Sequence, residues 1–325
     1  KIDASTQEGT VCNGTSTDLK VRVTGGLAFT FDTGAENSEL RGLAMSGVNN
    51  VNIATDGFKV GCSFFGSYDG TTFGSRASLQ IYGDNATVGG PSSADYNLFA
   101  NSAFSISSSD GTLVQNNSFG TTLSGTASIG GEGGPGINVS GGIVKHLAIK
   151  DNLVSGNPSW GVAFYYVGAG SEDIVITGNK IGTDITGTQA LGNQGHGIMF
   201  INSISNVRIG GPSQSDRNII SANGQSAITT ENQVYTDFTI MNNYIGTDVS
   251  GMLSVPKSNG DANTVINLGG PDSTNMHVLN NLIVSTNGGR TIDMTAHAIT
   301  SNGDEVQGNK IGVKVDESAA LGSQS

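Results

Sequence analysis

The sequence predicts an all-β solenoid, a single-stranded right-handed parallel β-helix, and three observations carry that prediction. From Ile174 to Asn223, short apolar runs alternate with Gly, Asn, Asp and Thr, and none is long enough for a helix. With Ile176 as a phase mark, equivalent apolar residues return at Ile198, Ile219 and Ile240, at spacings of 22, 21 and 21. Asn179-Lys180-Ile181-Gly182-Thr183-Asp184 then returns as Asn243-Tyr244-Ile245-Gly246-Thr247-Asp248, displaced by 64 residues. On this reading three coils of about 21 residues make one long repeat. Units too short to bury their own apolar side chains must stack on their neighbours. Parallel pairing advances the stack by about 4.8 Å per coil. The chain then divides into roughly 15 coils, a rod of about 70 Å, and a single β-helix domain over residues 1–325.

Composition agrees with a narrow core. The chain has 49 Gly, 6 Pro, 36% hydrophobic and 13% charged residues, and runs rich in Leu, Glu and Lys that would form helices are absent. The formal net charge of −12 repels a polyphosphate, which argues against nucleic acid as a partner. No apolar run approaches the ~20 residues of a membrane span. Cys12 and Cys62 are too few for zinc and too far apart for a redox pair. They are either a disulfide, which needs a loop to fold back over about two coils, or two buried thiols.

Taken in order, the chain opens with Ile2-Asp3-Ala4-Ser5-Thr6-Gln7-Glu8-Gly9, followed by Leu40-Arg41-Gly42-Leu43. With Gly178 to Asn193, Ile209 to Asn223 and Asn242 to Gly251, these stretches resemble a group of bacterial secreted and cell-surface β-helix repeat proteins. Their repeats carry "IDGTTQPG", "IRGL", "GNYIGTD..GT.ALGN" and "IGG......RN.ISGN" elements. The resemblance implies the fold and an extracellular or cell-surface location, and is not specific for one activity. Two markers follow the repeats. Phe65-Gly66, Phe119-Gly120, Ile181-Gly182, Ile245-Gly246 and Ile311-Gly312 form one series. Asn97-Leu98, Asn152-Leu153, Asn218-Ile219 and Asn281-Leu282 form the other. Variation falls between the markers, at loops such as 130–136 and 168–173, as expected where loops lengthen on a rigid rod.

Candidate chemistry is sparse. Asp184 and Asp248, each followed three residues later by Gly, read as turn residues whose carboxylates accept backbone N–H groups, with calcium ligation as the alternative. No other cofactor is expected. The pairs Asn49-Asn50, Asn116-Asn117, Asn242-Asn243 and Asn280-Asn281 are expected at corners, where stacked amides hydrogen-bond along the rod. Sequons at Asn13, Asn85, Asn116 and Asn138 are glycosylation acceptors in a suitable host. Gly195-His196-Gly197 lacks the paired aspartates that glycosidic cleavage needs, so His196 reads as a turn residue. The other histidines, His146, His277 and His297, show no ligand spacing. Lys145, Lys150, Lys180, Arg208 and Arg217 read as scattered over different coils. Trp160, Tyr165 and Tyr166 are candidates for stacking on a sugar ring, or for packing.

These features favour a non-enzymatic structural protein over two alternatives, a carbohydrate-binding or adhesin-type module and a polysaccharide lyase or glycoside hydrolase. In that first reading the chain is an extracellular fibre subunit whose copies assemble head to tail. The subunit contact falls on Lys1 and Ile2 at one end and Ala320 and Leu321 at the other, where the sequence shows no capping element. Polysaccharide is the other candidate partner.

Overall fold

The structure is a computed structural model and describes residues 1–13, 18–129, 131, 133–231, 233–257, 265–285, 289–294 and 303–321. His297 and parts of the 130–136 loop lie outside the described residues. Three parallel sheets run along the rod, two of eleven strands and one of ten. Sheet 1 begins with Ile2–Asp3, sheet 2 with Val21–Thr24 and sheet 3 with Ala28–Phe31, and Glu39–Arg41 then returns the chain to sheet 1. Strands are two to six residues long, because Gly, Asn and Asp interrupt every apolar run. Along each strand the pleat sends alternate residues inward. In Asn50–Ile53, Val51 and Ile53 are buried while Asn50 and Asn52 are half-buried. Among the described residues there is no α-helix, only two 3-10 turns at Ser93–Asp95 and Gln214–Asp216, and none is long and apolar enough to cross a membrane.

The fold is the expected parallel β-helix, but its coils are unequal, from 20 residues between Leu40 and Val60 to 39 between Ile181 and Ile220. Ile181 pairs with Ile220 and Ile220 with Ile245, so the 64-residue displacement spans two coils, one long and one short. The four isoleucines that mark the 21-residue phase do not stack in one column but lie in different sheets. Ile176 and Ile240 belong to sheet 1, Ile198 to sheet 3 and Ile219 to sheet 2. In sheet 1, Ile176 pairs with Ile209 and Ile209 with Ile240. Successive marks step two-thirds of the way around the rod, and three such steps make two turns. Among the described residues eleven coils stand where 15 were expected, and at about 4.8 Å per coil the sheets span about 50 Å rather than 70 Å. Ile219 faces outward, covered in a small cluster with Tyr244 and Leu282.

Inside, one apolar cluster runs from Ala4 to Ile283. Phe65, Phe99 and Phe119 pair in register in sheet 2. Their rings stack at 4.8 and 4.6 Å. The corner between sheets 1 and 2 holds an amide ladder of Asn97, Asn117, Asn152, Asn179, Asn218, Asn243, Asn281 and Asn309. Each Nδ2 donates to the next Oδ1 over 2.9–3.1 Å. Three of the expected Asn pairs supply rungs through their second member, whereas Asn50 instead faces outward on sheet 3.

At the next corner, short hairpins project and stack on one another. Thr183 bridges Ala190 and Thr247 bridges Ser254 in antiparallel fashion. Ile185 N donates to Gly125 O and Val249 N to Gly187 O. Cys12 and Cys62 are bonded as a disulfide with Cα atoms 5.6 Å apart. The segment between the first two strands folds back over the outer face of sheet 2, where Leu19, Ala44, Phe64 and Leu98 pack around the bridge.

Candidate functional site

Because alternate residues of sheet 3 serve the core, the others build an outer face. In register along the rod, that face presents Thr30, Asn52, Gln80, Ser105 and Asn138, and the column continues to Ala163, which is covered. Two hollows lie on it. One, of about 310 Å³, is lined by Arg76, Gln80, Tyr82, Ser105, Asn138 and Ser140 among others. The other, of about 360 Å³, is lined by Asn49, Asn50, Arg76, Ser78, Gln80 and Ala103. Arg76, Gln80 and Ala103 line both, so the hollows form one groove that crosses the strands along the rod axis.

The groove's polar groups are held in place before any ligand arrives. Tyr82 Oη donates to Gln80 Oε1 at 2.6 Å, and Gln80 Nε2 donates to Asn50 Oδ1 at 3.4 Å. Asn138 Nδ2 donates to Ser140 Oγ at 3.1 Å. Two rungs beyond Asn138's neighbour Ser105, the column reaches Ala163. The aromatic group of Trp160, Tyr165 and Tyr166 flanks that strand. Trp160 and Tyr165 have ring centroids 6.1 Å apart, Tyr165 and Tyr166 3.9 Å, and Tyr166 is 65% exposed.

From Ser140 the chain turns the corner from sheet 3 to sheet 1 and reaches His146. Here the register assembles what looked scattered in sequence. His146 Nδ1 lies 2.6 Å from Asp110 Oδ1, and Nε2 lies 3.0 Å from Asp173 Oδ2. Lys145 pairs with Glu172 at 2.5 Å. Lys145 and His146 thus find carboxylate partners on neighbouring coils that no sequence spacing marked. A carboxylate at each ring nitrogen favours the protonated ring, in which both nitrogens are donors. The hydrogen bond and charge of Asp110, then the charges of Asp173 and Glu172, raise its pKa above the ordinary histidine value.

His146 occupies a repeated backbone position. At the residue two before the paired strand core, Asn37, Gly57, Asn85, Gly111, His146, Asp173, Asn206, Asp237, Asn275 and Gly303 all have φ between 47° and 99°. Nine are Asn, Asp or Gly, which tolerate this left-handed conformation best. The imidazole is the exception in the column.

The remaining candidates fall elsewhere. Asp184 is a turn residue: its Oδ1 accepts from Thr188 N and Gln189 N at 3.0 Å, and Thr186 Oγ1 donates to it at 2.8 Å. Burial pushes that carboxyl up, but these donors outweigh burial and hold it below the usual value. Asp248 accepts in the same way from Met252 N and Leu253 N. No cluster of three or more metal-ligating side chains exists among the described residues. His277 Nε2 meets Gly303 O at 2.8 Å. Lys1 pairs with Asp3 and Glu39 at 3.0 and 3.1 Å, and Ile2 lies in the first strand. Ala320 bridges Val313, and Leu321 N donates to Gly312 O.

His196 sits at the corner between sheets 2 and 3, where its Nδ1 accepts from Ser226 N at 3.1 Å. Burial, with the charge of Lys257 second, pushes its pKa down to about 4. The folded state therefore favours the neutral ring, and the associated stability is complete above pH 6.5 and lost as pH falls toward 4. We expect the loss to reach about 2–3 kcal/mol below pH 4. Urea unfolding at pH 7 and pH 4 checks this, because His196→Gln should lose less stability between the two than the wild type. An equal loss in both proteins would remove His196 from the account.

No protein-family model and no curated protein matches the sequence. Among solved structures, the chain is similar to the A-module of the Azotobacter vinelandii mannuronan C-5 epimerase AlgE4. The identity is 13% and the TM-score 0.43, over 95% of this chain and 76% of that one. It is also similar to the periplasmic alginate epimerase AlgG, with 13% identity and a TM-score of 0.46 over 95% and 82% of the two chains. DFA-IIIase from Arthrobacter chlorophenolicus A6 matches with 16% identity and a TM-score of 0.41 over 86% and 62%. At these identities the likeness concerns the fold, and no residue role is transferred from it. All three are enzymes by name, which runs against the expectation of a non-enzymatic fibre subunit. The head-to-tail assembly through Lys1, Ile2, Ala320 and Leu321 is dropped with it.

Proposed function

We propose that the chain is an extracellular carbohydrate-active enzyme, a single β-helix domain that takes an extended saccharide along the outer face of sheet 3. The observation that carries this reading is the groove from Asn50 to Asn138. It crosses successive coils, follows the rod axis, and offers pre-set amide and hydroxyl groups with an aromatic edge at Tyr82. Such groups match the hydroxyls of a sugar chain, whereas they offer nothing to an apolar ligand. Trp160, Tyr165 and Tyr166 stand further along the same face as stacking surfaces for a sugar ring. His146, between Asp110 and Asp173 at the adjoining corner, is the proton-transfer group we assign to the reaction.

Incubation with a panel of acidic and neutral polysaccharides tests the reading. Products are followed as new reducing ends, as unsaturated sugars by absorbance, and as changes in sugar configuration by NMR. Product from at least one polysaccharide is the expected result, and absence of both product and binding across the panel would overturn it.

A further inference from the structure

We infer that the groove selects an acidic saccharide, whose anionic group, a carboxylate or a sulfate ester, sits on Arg76. The inference rests on the saccharide reading and adds the charge of the ligand to it.

The chain carries a net charge of −12, and most of its cations have carboxylate, carbonyl or aromatic neighbours. Arg41 is held by Asp95 and Glu39, Lys145 by Glu172, and Arg217 stacks on Tyr244 at 4.0 Å. Arg76 is exposed and has no ion pair or hydrogen bond among the described residues. It is also the one charged group among the described residues that line either hollow of the groove. An acidic surface repels anions at long range, so a guanidinium with no ion pair among the described residues, where the other described lining groups are neutral, is a local reversal of that field. Its planar fork fits a carboxylate or sulfate through two parallel hydrogen bonds. The tied amides and hydroxyls of Asn50, Gln80 and Tyr82 then receive the neutral hydroxyls of the same sugar chain. Arg76 lines both hollows, so the anion is placed where they meet rather than at one end.

Calorimetric titration with three oligosaccharides of equal length tests this: a hexuronate, the same hexuronate after carboxyl reduction, and a sulfated hexose. Wild-type protein should bind one of the anionic probes at least tenfold more tightly than the reduced one, and the preference should shrink as salt rises. Whether the hexuronate or the sulfated hexose wins distinguishes carboxylate from sulfate. Arg76→Gln should weaken the anionic probe far more than the reduced one and so remove the preference, and Arg76→Lys should keep part of it. Melting curves control for folding. Equal binding of charged and reduced probes, or a preference that survives Arg76→Gln, overturns the inference while the saccharide reading stands. Failure of all three probes to bind the wild type removes the saccharide reading itself.

Discussion

Asn179→Ala is expected to destabilise the fold by about 3–5 kcal/mol, with a large fall in the thermal midpoint. Asn179 is fully buried. Its Nδ2 donates to Ile149 O and Thr177 O at 2.9 Å and to Asn218 Oδ1 at 3.0 Å. Its Oδ1 accepts from Asn152 N at 2.9 Å and from Asn152 Nδ2 at 3.0 Å. Alanine cannot make any of these bonds. It leaves a carbonyl and two N–H groups without partners in a space that water does not enter, and each such group costs about 1–3 kcal/mol. The position within the ladder sets the size of the effect. Asn309 is half-buried, so groups orphaned by Asn309→Ala can turn to water, and the loss there should be smaller. The comparison is made by thermal unfolding of both variants. A midpoint for Asn179→Ala equal to that of the wild type would show that the ladder is not what holds this corner.

The ladder also shows how far the sequence could be read. Asn before an aliphatic residue marked Asn97, Asn152, Asn218 and Asn281, and the structure places all four in the ladder. Between them stand Asn117, Asn179 and Asn243, and Asn309 follows the last. The marker series therefore sampled every second rung. That is the same aliasing that turned two coils of unequal length into three equal ones. Six-residue insertions are one cause: after the strands ending at Gly89 and Gly210 the chain makes a 3-10 turn at Ser93–Asp95 or Gln214–Asp216 before it reaches its rung at Asn97 or Asn218, where the paired coils have a single intervening residue. A loop of variable length costs little in stability, so coil length drifts while the paired strands keep their register.

The groove was partly legible. N-V-N-I, S-L-Q-I and A-F-S-I alternate polar or small residues with apolar ones, as a half-buried strand must. What could not be read was which alternating strands lie side by side. The group around His146 was hidden for the same reason. Asp110 and Asp173 stand 36 and 27 residues from it, and neither distance repeats elsewhere in the chain as a fixed period. One signal existed, an imidazole where other coils carry Asn, Asp or Gly, but it becomes visible only once the column is aligned.

Replacing His146 with Asn is expected to lower turnover on the polysaccharide by about 10²–10⁴-fold, the usual contribution of a positioned proton-transfer group. Asparagine is the informative substitution because Asn85 and Asn206 occupy the equivalent position with φ of 53° and 50°. The left-handed corner therefore survives, and a loss of activity cannot be assigned to the backbone. In the resting arrangement both ring nitrogens are engaged by carboxylates. A sugar hydroxyl that displaces one of them frees an N–H to act as acid, and the displaced carboxylate is then available as base. The pH dependence follows from the sign of the shift. Asp110, then Asp173 and Glu172, hold the proton on His146 beyond the ordinary histidine range. The ion contacts are therefore complete below about pH 6.5 and are lost as pH rises through the raised value. Activity that requires the imidazolium should decline over that same upper range. Asp110→Asn removes the largest source of the shift and should move the decline to lower pH, which a purely structural histidine would not do. Wild-type turnover in His146→Asn, with an unchanged pH profile, would reduce the imidazolium to a brace between neighbouring coils.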